Sequence, residues 1–192
     1  MKKILLLAGF LIAGSQQLLI AQKQFVLFEG ESKIVVQGTS SLHDWDMDME
    51  KMTGRVKILD TEASIESFND IFFEGKASEL KSHSSIMDKK AHDALKADRY
   101  PGISFKMTSV QNIESVGEKF TVNITGVISV AGKSKSIVVR VTGIYKNSNS
   151  ISATGSINMR MTDFGVIPPT AIMGTLKTGD EITVKFDLKF RA

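Results

Sequence analysis

The stretch that decides the fold is ISATGSINMRM, residues 151–161, read together with ITVKFDLKF, residues 182–190. In the first, Ile151, Ala153, Gly155, Ile157, Met159 and Met161 take the odd positions, and Ser152, Thr154, Ser156, Asn158 and Arg160 the even ones. In the second, Ile182, Val184, Phe186, Leu188 and Phe190 alternate with Thr183, Lys185, Asp187 and Lys189. Successive side chains of a strand point to opposite faces, so each run predicts a strand with one apolar and one wet face. Such strands need a common interior to bury their apolar sides.

Working backwards, the same alternation recurs. Ile137, Val139, Val141, Gly143 and Tyr145 predict one strand, and Phe120, Val122, Ile124, Gly126, Ile128 and Val130 another. Ala131-Gly132-Lys133-Ser134 is a tight turn between them, and Lys146-Asn147-Ser148-Asn149 turns into residue 151. Ile103, Phe105 and Met107 start an earlier strand. Before it, Ser84 to Ala97 predicts the one helix, capped by Ser84 or Ser85, with an apolar stripe of Ile86, Met87, Ala91, Ala94 and Leu95. Tyr100-Pro101-Gly102 is expected to end it, because proline disfavours helical geometry in the residue before it.

The N-terminal third reads less cleanly. Phe25 to Phe28 and Lys33 to Gly38 are short strands. Trp45, Met47 and Met49 alternate with Asp46, Asp48 and Glu50, after which the apolar phase moves to Met52, Val56 and Ile58, predicting a bulge or turn near Glu50–Thr53. Ala63 and Ile65 begin a segment, Asn69-Asp70 is expected to turn, and Ile71 to Leu80 forms the next. Gly179-Asp180 is expected to lead into the last strand. About eight long antiparallel strands and one short helix predict an all-β fold that closes into a barrel or packs as a sandwich, and eight strands in a barrel would give an interior just wide enough to be filled or to hold one small ligand.

The first 21 residues stand apart. Met1-Lys2-Lys3 is basic, Ile4 to Ile12 is apolar, and small or polar residues follow up to Ala21. That is the pattern of a secretory signal peptide, too short in its apolar core to span a bilayer. Cleavage after Ala21 leaves 171 of the 192 residues, one domain over 22–192. Without Lys2 and Lys3 the chain keeps 22 basic against 21 acidic residues, a net charge of +1. That balance argues against nucleic-acid binding. There is no cysteine, so neither disulfides nor N-terminal cysteine acylation can operate. A periplasmic or secreted location is expected, with no membrane span after cleavage. A homodimer is left open.

Several segments together resemble the YceI-like family of exported polyisoprenoid-binding domains. They are GTSSLHDW at 38–45, KKAHDALKADRYPGISF at 89–105, Thr162-Asp163-Phe164-Gly165, and GDEITVKFDLKF at 179–190. Tyr100, Pro101 and Phe105 form the most specific piece, and the resemblance spans residues 24–191. It implies a lipocalin-like extended barrel that is no enzyme but a carrier or sequestering protein. It implies a long isoprenoid, quinone or other lipid chain in the lumen, and no further cofactor.

The residues expected to line that lumen are Phe105, Phe120, Val122, Ile124, Ile128, Val139, Val141, Ala153, Ile157, Met159, Met161, Val184 and Phe186, with Leu95 and Tyr100 covering an end. Two readings of the interior stand side by side. Gly126, Gly143, Gly155 and Ala153, in phase with large residues, either leave room for a ligand or mark bends in a solid barrel. The solid barrel would be a ligand-free structural or interaction module of the cell envelope.

Other constellations carry less. His43-Asp44 beside Ser40, Ser41 and Trp45 invites a catalytic reading, but no companion motif supports one, and lining the barrel mouth is the plainer role. His83 and His92, nine residues apart, would fall on opposite helix faces, which disfavours a shared metal and leaves two exposed histidines. Asp46, Asp48 and Glu50 read as a solvated acidic face. Lys133, Lys135 and Arg140, near a hairpin, could meet a phosphate head group or simply protect an edge. Phe164 is expected to plug one barrel end.

Overall fold

In the computed structural model, which describes residues 22–61, 64–146, 149–171 and 175–192, the alternating runs become strands. They are β1 (Lys23–Leu27), β2 (Lys33–Ser40), β3 (Trp45–Met49), β4 (Met52–Asp60), β5 (Ile65–Lys76), β6 (Leu80–Lys81), β7 (Gly102–Val116), β8 (Lys119–Val130), β9 (Lys133–Lys146), β10 (Ser150–Arg160), β11 (Thr170–Ala171) and β12 (Leu176–Arg191), with one α-helix, α1 (Ser85–Leu95), between β6 and β7. Pairing runs β1-β4-β5-β7-β8-β9-β10-β12, and β12 returns to β1, closing an antiparallel ring of eight. From β12 the sheet also continues through β2, β3 and β6, while β11 forms a hairpin with the start of β12.

The extra strands are continuations of the ring. β1 and β2 lie end to end along β12, with Leu27 opposite Phe190 and Lys33 opposite Asp187. A 3-10 turn at Glu29–Glu31 separates them. β3 and β4 are divided at Glu50–Lys51, and β5 and β6 by a second 3-10 turn, Ala77–Glu79. The breaks are tied together: Met52 N–H donates to Glu29 Oε1 at 2.8 Å, and Glu50 N–H donates to the Glu79 carbonyl at 2.9 Å. The phase change expected near Glu50–Thr53 is therefore one point on a bend crossing three neighbouring strands.

Two expectations need correction. Asn69-Asp70 is not a turn. β5 passes straight through it, and because Lys57 faces Asp70 while Ile58 faces Phe68, Asn69 is an extra residue in a bulge. A second bulge lies at Glu66, since Leu59 faces Ser67 and Asp60 faces Ile65. Each bulge adds one residue, so Ile65, Phe68, Ile71 and Phe73 are spaced by three, three and two rather than by two. Likewise Gly179-Asp180 does not precede the last strand; β12 starts at Leu176 and bulges between Thr178 and Ile182. The expected signal peptide, Ala63, Asn147 and Ser148 lie outside the described residues.

The helix is capped by Ser84, whose Oγ accepts from Met87 N–H at 3.4 Å. It ends at Lys96, in left-handed conformation at φ 53°, where Ala97 N–H returns to the His92 carbonyl. The helix thus stops ahead of the Tyr100-Pro101 signal.

The barrel's two ends differ. At one, Phe25, Ile58, Val122 and Ile151 are fully buried, Phe25 meets Tyr145 edge-on with centroids 6.1 Å apart, and Phe68 lies 5.7 Å from Phe120. Lys23 Nζ reaches Asp60 at 2.8 Å, and the Tyr145 hydroxyl donates to the same carboxylate. At the other end the wall parts at two seams. β6 does not pair with β7, and α1 lies across that gap, with His92 Nε2 2.8 Å from the Leu80 carbonyl. β10 leaves β9 beyond Gly155, and a 3-10 turn at Met161–Phe164 fills the space, fastened by Asp163 to Lys135 at 2.8 Å.

Candidate functional site

Between the parted end and the solid end lies a cavity of about 480 Å³. Of the residues expected to face the lumen, Phe105, Phe120, Val122, Ile124, Ile128, Val139, Val141, Ala153, Ile157, Met159, Met161, Val184, Phe186 and Leu95 all contribute to its wall. Tyr100 does not. Its ring packs against Gly132 of the β8–β9 turn, outside the cavity, because the chain has left α1 before reaching it. Phe164 is buried with Ile128 and Val166 and borders the cavity at the parted end.

Of the two readings of the inward glycines, the one in which they open the lumen does not hold. A Cβ on Gly126 would lie 2.3 Å from the Phe105 ring, on Gly143 2.4 Å from Phe120, and on Gly155 2.4 Å from Phe186. Gly38 stands in the same relation to Trp45, at 2.2 Å. Each ring comes from the neighbouring strand and occupies the place where a side chain would be. Phe120 is the direct partner of Gly143, Phe186 of Gly155, and Trp45 of Gly38. The glycines thus let aromatic rings lie against the wall instead of projecting across the barrel.

Sequence reasoning missed the N-terminal half of the wall. Ile34, Val36, Met47, Met49, Phe68, Ile71, Phe73 and Ile103 line the cavity too, as do Met87, Ala91 and Ala94 of α1, while Trp45, expected with His43 at the barrel mouth, is part of the same wall. The alternation in β2 and β3 and the helix stripe were available signals. The bulges in β5 hid the rest.

Polar lining groups gather at the parted end. Ser40 and Thr178 are strand partners, His43 follows in the loop, Ser84 caps α1, and Lys90, Thr170 and Lys177 complete the rim. His43 Nδ1 lies 2.6 Å from the Asp44 carbonyl, not its carboxylate, so the pair is not arranged as a base and its orienting acid. His92 is half-buried against β6 rather than exposed as expected. Among the described residues no group of three or more His, Asp or Glu is placed to hold a metal. Lys133 packs over Gly165 and Lys135 pairs with Asp163, so neither lines the cavity; Arg140 borders a shallow outer depression with Thr142, Thr154 and Lys185.

A family model for the YceI-like domain matches residues 25–190. The chain belongs to the YceI-like family. Solved structures share the YceI-like barrel at low identity. A polyisoprenoid-binding domain from Saccharophagus degradans, implicated in plant cell wall breakdown, superposes with a TM-score of 0.69 at 11% identity, covering 88% of this chain and 98% of that one. BcnA of Burkholderia cenocepacia gives 0.67 at 18%, covering 85% and 98%. The YceI protein of Campylobacter jejuni gives 0.58 at 17%, covering 100% and 99%. No curated protein matches the sequence. Among the described residues, no helix of this YceI-like chain is long and apolar enough to cross a membrane.

Proposed function

We propose that this protein is an exported carrier or sequestering protein that holds a long apolar chain, an isoprenoid, quinone or other lipid, in its barrel. One observation carries the reading: the barrel is hollow over part of its length, and the hollow is walled by hydrocarbon, aromatic and thioether side chains. Ile157, Met159, Val184 and Phe186 are only half-buried although they point inward. Their apolar surface stays uncovered unless a ligand covers it. Each CH₂ so buried is worth about 0.8 kcal/mol. Ordering a flexible chain returns a large part of that gain. The volume lies within the usual range for small-ligand sites. Membership of the YceI-like family and the polyisoprenoid-binding description of the Saccharophagus domain support the same reading.

Methionines suit an irregular, sliding guest. Met47, Met49, Met87, Met159 and Met161 give the wall flexible thioethers that adapt to branches and double bonds. Export follows from the N-terminal pattern and would bring the barrel to lipids outside the cytoplasm. Native mass spectrometry of protein purified without detergent tests the reading. An added mass that is released by organic extraction is the expected result. A bare mass, together with exclusion of an apolar fluorescent dye, would favour the ligand-free structural barrel.

A further inference from the structure

The charged groups in the cavity wall are of one sign. Lys90 and Lys177 line it, His43 joins them, and no Asp or Glu does. They are also brought to one place by hydrogen bonds. Lys90 Nζ, on α1, donates to the Thr170 carbonyl at 2.6 Å. Thr170 pairs with Lys177 across the β11–β12 hairpin. Ser41 N–H donates to the Lys177 carbonyl at 2.9 Å, and Lys177 N–H donates to Ser41 Oγ at 3.1 Å, which draws the loop carrying His43 onto the same hairpin.

Six lysines among the described residues are paired with acids, and the two that line the cavity are not. Lys23, Lys33, Lys51, Lys89, Lys135 and Lys189 each lie within 4.0 Å of a carboxylate. Among the described residues neither Lys90 nor Lys177 does. The nearby acids are otherwise engaged: Asp88 accepts from Ser82 N–H and Oγ at 2.7 Å, and Asp180 accepts from Thr162. Asp44 is the exposed acid beside His43, and its carboxylate is not part of the wall.

We infer that this rim is a head-group site for an anionic lipid, a phosphate or carboxylate whose hydrocarbon chain occupies the hollow. The inference rests on the carrier reading above and narrows it to ligands with an acidic end. An ammonium beside an apolar cavity is less screened than one on an open surface, so a matching anion gains a charge-assisted hydrogen bond there. Ser40, Ser84 and Thr178 add hydroxyls that can donate to the same oxygens. The remaining wall offers no comparable polar cluster, which fixes the ligand's direction: chain toward the Phe25–Tyr145 end, head toward α1.

The test is the ratio of affinities for matched probes. Farnesyl phosphate is compared with farnesol, and oleate with oleyl alcohol, by titration of delipidated full-length mature protein. The expected ratio favours the anion about tenfold or more in at least one pair and shrinks as salt is raised. In the Lys90→Met, Lys177→Met double variant, which keeps the apolar stems, the ratio falls toward one. A preference in only the phosphate pair or only the carboxylate pair identifies the head group. Equal affinity within both pairs, or a preference that survives the double substitution in folded protein, would overturn the site. Failure of the neutral alcohols as well as the anions would instead overturn the carrier reading.

Discussion

At the scale of single residues, the glycines under aromatic rings set the width of the barrel. A side chain at 143 would meet both the Ser152 carbonyl, 2.2 Å from the added Cβ, and the Phe120 ring. Backbone cannot step aside cheaply, so Gly143→Ala is expected to cost about 1–3 kcal/mol, read as a lower midpoint in urea. Gly38→Ala meets first the Trp45 ring, which must swing away. Trp45 is the one tryptophan in the chain and lines the cavity, so its emission should shift in that variant and on ligand binding. Asp60 is a different kind of residue-scale device. Burial alone would raise its carboxyl pKa, but hydrogen bonds from Lys23 and Tyr145 outweigh burial and hold it below the ordinary 3.8. A carboxyl depressed in the folded state contributes stability that is fully present above its unfolded value and is lost as pH falls through the folded one. Thermal melts should therefore show wild type losing stability as pH drops below about 4, and Asp60→Asn losing less over the same window.

At the scale of elements, β8, β9 and β10 were readable because the alternation within each is uninterrupted. No tertiary knowledge is needed to phase such a run. β5 was not readable, because bulges at Glu66 and Asn69 change the period itself, and a bulge is decided by the partner strand rather than by the residues that form it. The same holds for the Glu50–Lys51 break: its phase change and the interruption at Glu29–Glu31 between two short strands were visible, but the matching break at Ala77–Glu79 was not. The wall of the cavity was correspondingly legible on the C-terminal strands and missed on β2, β3 and β5. Tyr100 was misplaced for a related reason: the helix stops at Lys96, so the residues after it run on the outside toward Gly132. Helix α1 covers a seam that no strand pairing closes, and none of its residues is buried. Its amides are expected to exchange with deuterium faster than those of β8 and β9, and to slow when an apolar ligand fills the cavity. Removing the cap with Ser84→Ala should weaken the helix by about 1 kcal/mol and speed ligand exchange.

At the scale of the whole molecule, a solid end and a hollow end share one barrel, and this answers which of the two sequence readings of the interior applies: each applies to a different half. Truncation should separate them. Ile58→Ala, in the solid end and away from the cavity, creates a void among fully buried neighbours and is expected to cost about 2–5 kcal/mol. Ile157→Ala, in the hollow, removes atoms that face the cavity and should cost distinctly less in a urea titration. The reverse substitution is the most direct measurement of the central claim. Ile157→Trp places a large side chain where the account puts empty space. The account predicts a variant that folds with nearly unchanged thermal stability yet no longer takes up an apolar fluorescent dye that wild type binds one to one. A variant that unfolds, as a packed core would, or that binds the dye as wild type does, would contradict the hollow on which the carrier function depends.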